Sequence, residues 1–114
     1  MRQNIEIRLF AGLILLGTIE AKVVDASMGV IGGTLKVTAA YYNYQPFIRA
    51  HLETPNWEGL AALNLKAACP FIGELTAAGG IDITDITDHE GFDEVDVYVC
   101  GIGYQQMNRL FPDA

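Results

Sequence analysis

Ile5-Glu6-Ile7-Arg8-Leu9-Phe10-Ala11-Gly12-Leu13-Ile14-Leu15-Leu16-Gly17-Thr18-Ile19-Glu20-Ala21-Lys22-Val23-Val24-Asp25 is the stretch that decides the fold class. Its first five residues alternate apolar and polar with period two, the pattern of a half-buried strand. Ala11-Gly12 supplies a turn. Residues 13–25 then read as a second strand, rich in β-branched side chains, with Gly17 placed where a bulge or bend relieves so long an extended run.

Outward from there the same pattern recurs. Asp25-Ala26-Ser27-Met28-Gly29 is a turn, because an aspartate side chain bonds the backbone ahead of it and the glycine tolerates the reversal. Residues 28–34 are glycine-rich but lack the closing Lys-Ser/Thr of a phosphate loop, so they read as a flexible hairpin loop. Leu35, Val37 and Ala39 alternate with Lys36 and Thr38 as a third strand. Residues 63–68, 71–77 and 81–87 favour short strands, separated by Pro70 and by Gly79-Gly80. Residues 94–100 give the cleanest strand, with Val95, Val97 and Val99 on one face. Thr54-Pro55 reads as the start of a two-turn helix, with Trp57, Leu60 and Ala61 at helical spacing. Tyr104, Met107, Leu110 and Phe111 form a terminal helical stripe stopped by Pro112. The expectation is a mainly β, β-rich α+β domain spanning residues 1–114. It would be a small antiparallel barrel or sandwich of about seven strands, with a short central helix and a short C-terminal helix.

Composition sets limits on function. The 114 residues are 51% hydrophobic and only 18% charged, which excludes disorder, and the net charge is −7. That charge opposes nucleic-acid backbones and anionic membranes as partners. The longest apolar run, residues 9–16, is far shorter than the roughly 20 residues that span a bilayer. Glu6, Arg8 and Glu20 argue against reading Arg2 and that run as an export signal. Cys69 and Cys100 lie in no metal-binding spacing and flank apolar stretches, so they read as two reduced core thiols in a cytoplasmic setting, and no cofactor is implied.

The strongest local signal is acidic. Residues 82–96 hold seven of the fourteen carboxylates and no Lys or Arg, so the other seven carboxylates balance all seven bases. The calcium-loop template fails, since with Gly91 sixth its first and twelfth positions hold Ile86 and Val97. What remains is an acidic face of Asp85, Asp88, Glu90, Asp93 and Glu94, either solvated or docked against a basic protein. Gly101-Ile102-Gly103 sits between strand and helix, but Gln106 replaces the third glycine of a dinucleotide fingerprint, leaving a plain strand-to-helix turn. No nucleophile elbow surrounds Ser27, the sole serine. His51 and His89 are the only general-base candidates, and nothing in the sequence pairs them with a cysteine.

Tyr41, Tyr42, Tyr44, Phe47 and Trp57 place five of eleven aromatic residues within seventeen positions. They form either a satellite core beneath the Thr54 helix or a contact surface, with Arg49 suited to stack on it. Twenty-one charged side chains must solvate about 6,100 Å² of surface. The expectation is a non-catalytic protein-binding or self-assembly module, most simply a homodimer. Two alternatives stand beside it: an immunity-type acidic inhibitor that covers a basic site on a partner, and a small-ligand binder or enzyme with a pocket at the barrel mouth.

Overall fold

The computed structural model describes residues 4–86 and 94–112. Among them, seven strands form one antiparallel sheet in the order β5-β4-β1-β2-β3-β7-β6. β1 (Ile5–Ala11), β2 (Ile14–Asp25) and β3 (Val30–Val37) are a meander. The chain then leaves the sheet through a 3-10 helix (Ala39–Asn43), α1 (Gln45–Glu53) and α2 (Trp57–Ala62). β4 (Leu65–Cys69) returns to the free side of β1 and is followed by the two-residue β5 (Gly73–Glu74). The hairpin of β6 (Gly80–Asp85) and β7 (Val95–Cys100) adds to β3 at the opposite side, and α3 (Tyr104–Leu110) ends the fold. The sheet curls until β4 and β6 approach without pairing, so the mainly β antiparallel fold of seven strands takes the form of a half-barrel, as the strand pattern leads one to expect.

Period-two alternation determines which face turns inward. Ile5, Ile7, Leu9 and Ala11 of β1 are buried while Glu6 and Arg8 face solvent, and the three valines of β7 are buried together. Full burial of such a side chain contributes about 1.5–3 kcal/mol. β2 needs an adjustment to keep its apolar residues inside. The β1 partner shifts from Gly17 at Leu9 to Leu15 at Phe10, so Leu16 is the extra residue of a bulge and turns into the core. Gly17 is required beside it, since a Cβ there would lie 2.3 Å from the Lys36 carbonyl oxygen.

Several expectations are corrected. The glycine-rich residues 30–34 are strand, not loop: Gly32 pairs with Tyr98, and a Cβ on Gly32 would lie 2.6 Å from the Tyr98 ring. The aromatic ring of β7 occupies the space that a side chain of β3 would fill. Thr54 caps the end of α1, while Asn56 is the N-cap of α2 and accepts a bond from the Gly59 N–H at 2.9 Å. Residues 71–77 contain only the short β5. Tyr104 does not join the terminal stripe, which Met107, Leu110 and Phe111 bury without it. Gly103 is the N-cap of α3, as the strand-to-helix reading requires.

Candidate functional site

Two features meet where α1 packs along β6, a buried polar cluster at one end and an open cleft at the other. The cluster is centred on Asp85, the last residue of β6, whose side chain points inward and is only 2% exposed. The Tyr41 hydroxyl donates to its Oδ2 at 2.5 Å, Gln45 Nε2 donates to the same oxygen at 3.0 Å, and Arg49 Nε donates to Oδ1 at 3.5 Å. These donors are spaced four residues apart, so one face of the continuous 3-10 and α1 segment presents all three. Burial first, and then the bond to Asp85, hold the Tyr41 hydroxyl far above its usual titration range, so it stays a proton donor.

Asp85 therefore does not belong to an outward acidic face, contrary to the expectation. Glu94 is exposed, and Asp88, Glu90 and Asp93 lie outside the described residues, as does His89. The aromatic segment divides. Tyr41 is core, Tyr44 and Phe47 pack against the core, and Tyr42 and Trp57 face solvent. Arg49 pairs with Asp85, its Nε 3.5 Å from Oδ1.

Beyond this anchor α1 and β6 enclose a cleft of about 500 Å³. Ile48 and His51 of α1 and Trp57 and Leu60 of α2 form one wall; residues 79–83 and Cys100 form the other. The wall has a fixed shape. The Asn56 N–H donates to His51 Nδ1 at 2.8 Å, which places the ring proton of neutral His51 on Nε2. The ring lies edge-on to Trp57 with centroids 4.7 Å apart and stacks on Phe47 at 6.0 Å. Trp57 itself remains 70% exposed at the rim.

A histidine and a cysteine lining one cleft invite comparison with a thiolate nucleophile. Here the electrostatics run the other way: burial, and secondarily the Asp82 charge, push the Cys100 thiol up, so the reactive thiolate is disfavoured. Both cysteines are free; Cys69 is buried as expected, whereas Cys100 is only part-buried, at the cleft rather than in the core. Among the described residues no group of three His, Cys, Asp or Glu could hold a metal ion. None of the helices described is long and apolar enough to cross a membrane. Comparison with protein-family models, curated proteins and solved structures finds no match.

Sequence reasoning picked out Trp57 and His51 but missed the wall that holds them. Pro46, one residue into α1, was the available signal, since proline favours the first helical turn.

Proposed function

We propose that the protein is a non-catalytic binding module whose cleft between α1, α2 and β6 receives a segment of another polypeptide. One observation carries this reading: an apolar wall ending in a solvent-exposed tryptophan faces the outermost strand of the sheet across an open cleft. Tryptophan is among the residue types most enriched where partners are anchored. The raised Cys100 titration and the engagement of His51 Nδ1 favour binding over catalysis. The net charge of −7 makes a basic protein the fitting partner.

The test is a selection. A phage-displayed library of random peptides is panned on the immobilised protein and, in parallel, on Trp57→Ala, whose exposed site leaves folding intact. Sequences enriched on the first protein alone are expected, and equal enrichment on both would overturn the reading. A second reading is self-association as a homodimer. It is favoured by Leu13 and Tyr104, which are 95% and 80% exposed on a surface of few charges. Sedimentation equilibrium showing only monomer at micromolar concentration would remove it.

A further inference from the structure

β6 ends the sheet, and its inward-pointing charge is confined to its last residue, Asp85. Edge strands are ordinarily shortened, bulged, covered by a helix, or marked with Lys, Pro or an inward-pointing charge. The opposite edge follows that rule, since β5 has two residues and comes shortly after Pro70. β6 has six residues in regular register with β7 and contains no Lys, Arg or Pro. Among the described residues, positions 81–84 make no backbone hydrogen bond outside the β7 ladder. Alternate N–H and C=O groups therefore point away from β7.

These groups face the cleft. Ile81 and Ile83 point inward and Asp82 points outward, on opposite faces of the sheet, yet all three line the same space. A space bounded by residues of both faces of one strand reaches round its edge. Among the described lining residues Asp82 is the one Asp, Glu, Lys or Arg, and His51 stands on the facing wall.

Resting on the binding-module reading, we infer that the occupant is an extended cationic peptide segment added to the edge of β6 as an eighth strand. A residue opposite Asp82 projects to the same outer face and would be Lys or Arg; its two neighbours project to the inner face, against Ile48, Leu60 and Trp57. The recognised pattern is apolar-cation-apolar with period two.

Synthetic copies of peptides recovered in the selection above provide the test, with emission from Trp57, the only tryptophan, reporting occupancy. The recovered sequences are expected to share the apolar-cation-apolar pattern. Asp82→Lys is expected to weaken them by about fivefold, the size of an exposed cross-strand charge pair. Peptide backbone N-methylation, which leaves the protein untouched, is expected to weaken binding about tenfold at alternate positions and little at those between. Peptides that depend on Trp57 but tolerate N-methylation at every position, or ignore Asp82→Lys, would overturn strand addition while leaving the cleft a binding site. Failure to recover any Trp57-dependent peptide would overturn both. If Trp57 emission instead shifts with protein concentration alone, the occupant is a second copy of the chain and the cationic assignment falls.

Discussion

A carboxylate held as deeply as Asp85 is stable only when its lone pairs are met, because stripping water from an unpartnered charge costs several kcal/mol. Tyr41, Gln45 and Arg49 meet it and thereby fasten the first turns of helix to the end of β6. Tyr41→Phe keeps the ring and removes one donor, and is expected to lower unfolding free energy by about 1–3 kcal/mol in urea denaturation. The same residue predicts an alkaline limit. Its pKa is raised in the folded state, so above the ordinary tyrosine value near 10 the unfolded chain loses a proton that the native chain keeps. Stability is therefore full below pH 10 and falls as pH rises beyond it. Tyr41→Phe should show a slope shallower by up to one proton in denaturant midpoints measured from pH 9 to 11.5, and identical slopes would contradict the assignment.

At the scale of elements, the glycines decide how closely strands approach. Gly17→Ala would drive a methyl group to 2.3 Å from the Lys36 carbonyl oxygen and 2.8 Å from Leu35 Cδ1. Because the nearest atom is backbone, β2 and β3 must separate. A loss of about 1–3 kcal/mol is expected in the same urea assay, typical of an overpacked interior. These close approaches also mark how far sequence reading reaches. β1, most of β2 and β7 were legible, because each has one buried and one wet face and writes that asymmetry into its residues. The start of β3 was not, because Gly32 has no side chain to pattern and its space is filled by Tyr98 from a strand 66 positions away. α1 was hidden for a related reason: its inward face includes Gln45 and Arg49, polar residues that go inside only because Asp85 is there to meet them. The aspartate looked like part of a solvated acidic tract for want of the same information. Of the cleft, Trp57 and His51 stood out by residue type, whereas the bare edge of β6 is a property of the sheet order and has no signature in any short stretch.

For the whole molecule, stability is expected to grade from the middle of the sheet outward. β1, β2, β3 and β7 are each paired on both sides and hold the fully buried Ile7, Leu9, Ile19, Ile31, Val97 and Val99. α2 and β5 contain no buried residue. Native-state hydrogen exchange should accordingly find the amides of α2 and β5 exchanging first and those of β1 and β2 last, near the free energy of global unfolding; uniform protection would contradict this gradient. The inequality of the two sheet edges carries a separate consequence, for stoichiometry. Among the described strands only one side of the sheet is long enough to extend. Two copies meeting through β6 would each use up that edge, and a two-fold contact of that kind is closed. Growth into a fibre needs a second usable edge on every subunit, and a two-residue β5 does not provide one. A second copy that meets β6 edge to edge therefore terminates the array at the moment it forms it.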